Sequence, residues 1–274
     1  MKKSFLYICL SAVSLTACNN NPKNAAQTTN NADSTKTVIK NVLASKNGIS
    51  LSYFIQSPDF ADASLKLAEP VITDKCLMPG NILFRYDVKN FKLTDQTNGA
   101  STCDCSNSNK GQHIHQIINN KPYIARYKDT FYSNLEPGNY INLAFLSRSY
   151  HESVKNKNAY SLVQFKVGDT KEKSADITGP LLFYSRPKGE YVGKDTANVL
   201  LDFYLVNTDL SPDGNKVKAT INGNEFILTK WTGYGLSGLH LGENTIKLEL
   251  IDKDGKLIPG PYNSVERTIK LSAK

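Results

Sequence analysis

The chain has 274 residues, a formal net charge of +8, 21% charged and 9% aromatic residues, and only four histidines. That length fits more than one domain, and an apolar fraction of 40% is enough to form cores, which excludes a disordered polyelectrolyte. The basic residues are scattered along alternating segments instead of gathering on one face, which argues for solvated surfaces and against nucleic acid as a partner.

Residues 1–17 combine a basic start at Lys2 and Lys3, an apolar run from Phe5 to Val13 and small residues before a cysteine, the layout of a cleaved secretory signal. The run is too short to span a bilayer. Leu15-Thr16-Ala17-Cys18 resembles the bacterial lipobox, which implies lipid on Cys18 and a membrane anchor. Loss of Lys2 and Lys3 with the signal lowers the charge from +8 to 8 − 2 = +6. Residues 18–47 are rich in Asn, Thr, Ala and Lys and read as a flexible tether. No acidic cluster follows Cys18, which favours the periplasm-facing side of the outer membrane over the cell surface.

From residue 48 onward, period-two alternation broken by turn residues every eight to twelve positions predicts an all-β chain with two tandem immunoglobulin-like β-sandwich domains, at 48–168 and 180–274. The polar stretch 169–179 reads as their linker. In the first domain strands are expected near 49–56, 81–92, 113–118, 122–127, 130–135, 139–147 and 160–167. In the second they are expected near 181–184, 198–206, 216–221, 224–230, 234–239, 243–251 and 264–271. Asn119-Asn120 and Asn222-Gly223 are the two-residue turns that hairpins with positive φ prefer.

The two domains are copies of one pattern. His113 to Asn120 aligns on Lys216 to Gly223 at a shift of 103, Tyr123 falls on Phe226, and Gly138 to Leu143 aligns on Gly242 to Lys247 at a shift of 104. Upstream, Ile82 to Asp87 aligns on Val199 to Tyr204 at a shift of 117, so the first copy carries 117 − 103 = 14 extra residues, and Cys103-Asp104-Cys105 lies among them. Features shared by both copies belong to the fold, and features confined to the first are candidates for function.

Neighbouring third and sixth strands place the start of one and the end of the other at the same pole. That pole should unite the Cys103–Cys105 loop, His113 and His115, and the segment Ser147 to Ser153. His113 and His115 lie two apart on one strand face, and alignment with the alternating Val217, Ala219 and Ile221 predicts that they point away from their own core, available to a ligand. The second copy has Lys216, Lys218 and Gly255 in place of His113, His115 and His151, so the fold does not require imidazole there. Three imidazoles beside two thiols suit Cu or Zn.

Other readings of the pole stay open. Arg148, flanked by serines and by Tyr150, offers donors for an anion, and the surrounding tyrosines offer stacking surface for a glycan or peptide. A scaffold that engages an envelope protein is a further alternative. Once Cys9 and Cys18 are set aside, Cys76, Cys103 and Cys105 form an odd set: one disulfide and a free thiol, or a metal site. A bridge from Cys76 to one of the other two is favoured over thiolate ligation. No nucleophile elbow, phosphate loop or paired carboxylates are present, and a non-enzymatic protein is expected.

The run Lys110-Gly111-Gln112-His113-Ile114-His115, with Ser147-Arg148-Ser149-Tyr150-His151-Glu152-Ser153, resembles a family of uncharacterised bacterial envelope lipoproteins. The resemblance implies location and an all-β fold but no chemistry.

Overall fold

The computed structural model describes residues 42–55, 57–100 and 105–274. The signal, Cys18, most of the tether and Cys103 lie outside the described residues.

Two β-sandwiches follow one another. The first pairs a three-stranded sheet, β3 (Ser64–Glu69), β4 (Gly80–Lys89) and β7 (Thr130–Leu135), with a four-stranded sheet. The latter runs in the order β6 (Ile124–Arg126), β5 (His113–Ile118), β8 (Gly138–Ser147) and β9 (Tyr160–Val167). Phe84, Tyr86, Ile114, Ala144, Leu146 and Val167 fill the space between them. This is the seven-strand immunoglobulin-like arrangement, and β5 and β8 are antiparallel neighbours with His113 opposite Ser147.

The second sandwich repeats the plan. One sheet orders β11 (Glu190–Val192), β17 (Ser264–Ser272), β16 (Gly242–Ile251), β13 (Lys216–Ile221) and β14 (Asn224–Leu228). The facing sheet contains β10 (Leu181–Arg186), β12 (Val199–Val206) and β15 (Tyr234–Ser237). Asn119, Asn120, Asn222 and Gly223 all take positive φ, as their hairpins require.

The N-terminal segment departs from expectation. β1 (Val42–Lys46) and β2 (Ile49–Tyr53) form a hairpin that extends the second sandwich, with β2 paired to β15, so they belong to neither a tether nor the first domain. Ile49 and Leu51 lie in the second core. The first strand of the first sandwich is instead β3, which the sequence reading missed. Its burial is irregular and it ends at the cis Glu69-Pro70 bond, so it shows little alternation. The chain thus enters through the second sandwich, builds the first, and returns.

The repeat is visible in the turns. The isolated bridge Ser147–Ser153 has its counterpart in Ile251–Leu257, again at a shift of 104. His151 N–H donates to Arg148 O and Gly255 N–H to Asp252 O, and both residues take positive φ, +71° and +81°. Positions 90–112 join β4 to β5 and 207–215 join β12 to β13, 23 against 9 residues, which reproduces the difference of 14.

The sandwiches pack on one another, and residues 42–274 fall within one compact unit. Ile117, Ile141, Leu143 and Phe145 on the outer face of the four-stranded sheet meet Leu181, Phe183, Tyr204 and Val206 of β10 and β12. Phe145 stacks on Tyr204 at 4.5 Å between ring centroids. Each such side chain, once fully buried, stabilises the junction by roughly 1.5–3 kcal/mol. Beside them Lys155 of the first sandwich pairs with the fully buried Asp202 of the second, which also accepts from Ser153 Oγ at 2.9 Å.

A buried carboxylate stripped of its cation is costly, so Lys155→Ala should lower the unfolding free energy by about 3–5 kcal/mol. The double variant Lys155→Met, Asp202→Asn should recover most of that loss in urea titrations.

Candidate metal centre

The predicted pole assembles. Ser149 N–H donates to Thr97 Oγ1 at 2.9 Å and Ser108 N–H to Ser149 O at 2.8 Å, so the long 90–112 loop lies against the 147–153 turn. Gly111 makes this approach possible: its φ is +79°, and a Cβ there would sit 2.1 Å from Thr94 O.

His113 and His115 do point away from their own core, as the repeat predicts, but not to solvent. Both are fully buried, because the second sandwich covers that face. The reading of these imidazoles as freely available to a ligand is therefore corrected: the alternation reports one sandwich, and the partner that covers its outer face lies more than 60 residues away. The equivalent face of the second sandwich is built differently, with Lys218 ion-paired to Glu225 and Glu249.

His151, partly buried on its positive-φ turn, completes a triangle. His113 Nε2 lies 2.9 Å from His115 Nε2 and 3.1 Å from His151 Nδ1, and one ligand nitrogen from each ring falls within 4.8 Å of the others. His113 Nδ1 sits 2.8 Å from Gly111 O; a carbonyl only accepts, so Nδ1 carries the proton and Nε2 presents its lone pair to the centre. His115 Nδ1 contacts Ser185 Oγ of β10 at 3.3 Å. The outward nitrogens of both rings are thus held by a carbonyl and a hydroxyl, the arrangement that orients metal-binding imidazoles.

Electrostatics keep the rings neutral. Burial, opposed by the Gly111 hydrogen bond and aided by Arg186 and Lys188, lowers the pKa of His113 to about 4. Burial first, then neighbouring rings and the same cations, hold His115 and His151 well below the ordinary histidine value. Neutral imidazole is the form that ligates metal. Tyr123 closes the group: its ring stacks on His115 at 3.5 Å between centroids, and its Oη lies 3.3 Å from His151 Nδ1. Burial pushes its phenol above the usual range.

Other candidates fare differently. Arg148 is buried, its guanidinium donating to Pro58 O and Ser153 O and lying 3.7 Å from the Glu152 carboxylate, so it braces the turn and is not presented to an external anion. Tyr150 is 1% exposed and packs with Phe54 and Leu200, so it offers no stacking surface. Both lie beneath the segment after β2 that crosses between the sandwiches, which the sequence reading placed elsewhere. Cys76 is free and exposed, so it does not bridge the loop; Cys105 is disulfide-bonded, and no described cysteine joins the imidazoles. Ser185 and Arg186 were not singled out as site residues, and Tyr123 was read only as one of several tyrosines offering stacking surface to a glycan or peptide. The signal for the first two was polar side chains directly after the apolar run Leu181 to Tyr184, on the same strand.

No protein-family profile matches the chain, and no curated protein matches it. Among solved structures it is similar to the fibronectin(III)-like modules of Clostridium thermocellum CbhA, 13% identical over 77% of this chain and 94% of that one, TM-score 0.25. Another is SGBP-B of a Bacteroides ovatus mixed-linkage glucan utilization locus, 12% identical over 76% of this chain at TM-score 0.23, where the match covers 47% of that chain. A third is the pair of V-type regions of the chitin binding protein VCBP3, 6% identical over 77% and 99% of the two chains, TM-score 0.23. At these scores the likeness supports no reading of ligand, and function is argued from the site.

The depressed histidine pKa values give a pH dependence for the metal-free protein. Above pH 6.5 the imidazoles are neutral in both states and contribute no slope; below it the unfolded chain takes up protons first, so stability falls as the pH drops. With a folded pKa of about 4 against 6.5, His113 alone should cost about 2 kcal/mol by pH 5. Urea midpoints measured from pH 7 to 5 should show the decline, and His113→Gln should remove that share of it while the contribution of His115 and His151 remains.

Proposed function

We propose that the protein is a lipid-anchored, periplasm-facing envelope protein whose two sandwiches enclose one transition metal ion, Cu or Zn, between His113, His115 and His151. The observation that carries the reading is the convergence of three neutral ring nitrogens, two at 2.9 and 3.1 Å from a shared third, at a buried junction. Ligands bound to a tetrahedral ion at about 2.0–2.1 Å stand roughly 3.3 Å apart, so small ring rotations complete the set. The site's burial between the two sandwiches suits retention of the ion and bracing of the two domains; a closed structural site takes four protein ligands, and the imidazoles supply three of them.

His151 supports the same reading from the side of strain. A non-glycine residue at positive φ costs roughly 1–2 kcal/mol, and the second copy avoids it with Gly255 at the equivalent turn. Retention of histidine there favours a role outside folding.

His151→Gly is therefore the discriminating variant. Elemental analysis after loading with Zn or Cu and desalting should find about one ion per chain in the wild type and none in the variant, whose metal-free stability should match the wild type or exceed it by up to about 1 kcal/mol. Saturation at 100 times Kd should raise wild-type stability by about 2.7 kcal/mol. A wild type that retains no ion removes the reading.

A further inference from the structure

The site as three imidazoles leaves a charge imbalance. Arg186, 7% exposed, and the half-buried Lys188 lower the proton affinity of His113 and His151 through their charge, and among the described residues no carboxylate belongs to the converging group. Both cations instead face Tyr123. Lys188 Nζ sits 4.0 Å from the ring centroid and donates to Tyr123 O at 2.7 Å, and the Arg186 guanidinium lies 5.4 Å from the same centroid. A divalent ion placed beside two cations without a compensating anion is unfavourable in a buried junction.

Resting on the metal reading, we propose that Tyr123 is the fourth ligand, binding through Oη to complete a site of three imidazole nitrogens and one phenolate oxygen that selects a divalent ion. The hydroxyl is already in place: the 3.3 Å between Tyr123 Oη and His151 Nδ1 is the spacing of two ligands on one tetrahedral ion. Stacking of the ring on His115, with planes 12° apart, fixes its orientation. Ligation exchanges the phenolic O–H bond for an O–metal bond and releases one proton to solvent, since a bound cation reverses the penalty that burial places on the charged form. Arg186 and Lys188 then face a phenolate.

The repeat supplies an independent argument. Opposite the outer position of β5 that faces Tyr123, the register of the second copy changes: His115 pairs with Ala125, whereas Lys218 pairs with Ile227. One extra residue around Pro122 turns Tyr123 to the outer face, while Phe226, its match in sequence, packs inside the second core. The first copy therefore carries a local irregularity that brings a hydroxyl to the imidazoles, and the second copy lacks both.

The test is Cu(II) loading of the wild type and of Tyr123→Phe, which keeps the ring and its stacking. The wild type should show a phenolate-to-copper charge-transfer band with resonance-enhanced phenolate vibrations. Tyr123→Phe should still bind copper, with affinity reduced at least about ten-fold, and lose the band. A copper-loaded wild type without the band, or a band that survives in the variant, overturns the assignment while leaving the three-imidazole site intact. No copper or zinc uptake by the wild type overturns the metal reading itself, and this inference with it.

Discussion

Everything about the site depends on one packing event: the outer face of the sheet β6-β5-β8-β9 is covered by β10 and β12 of the second sandwich. In an isolated immunoglobulin-like domain that face meets water, and the two histidines on it would be ordinary surface residues. Covering it removes the imidazoles from solvent, holds them neutral, and brings Ser185 against one ring and Arg186 and Lys188 beside the others. The apolar contacts around Phe145 and Tyr204 provide the driving force, and the Lys155–Asp202 pair fixes the register between sandwiches. The site is thus a property of the junction.

The internal repeat was the most informative part of the sequence, because it compares one fold with and without the site. The turn at His151 and the turn at Gly255 share hydrogen bonds, bridge and sign of φ, so the difference between them is the side chain alone. Fold class, the hairpins, the pairing of β5 with β8 and the meeting of His113, His115 and His151 were all legible. Each rests on alternation or turn chemistry within a few residues, the range over which sequence patterns act.

What was not legible involves contacts distant in sequence. The run Leu181 to Tyr184 and the run Val199 to Val206, apolar apart from Asp202, show no alternation, and both strands are buried on both faces. That is the signature of a sheet covered twice; reading it as such would have foretold the junction and the fate of the imidazoles. The pairing of β2 with β15 spans some 180 positions and leaves no local mark. Arg148 and Tyr150 looked available because the residues that cover them, Phe54, Ile55 and Pro58, arrive from that same unforeseen hairpin.

The most direct measurement is X-ray absorption at the zinc edge of the zinc-loaded full-length protein. The account predicts a shell of nitrogen and oxygen at about 2.0–2.1 Å with multiple scattering from three imidazoles and no sulfur near 2.3 Å. A sulfur shell, or scattering from a single imidazole, would contradict it, because the ion would then lie somewhere other than the junction of the two sandwiches.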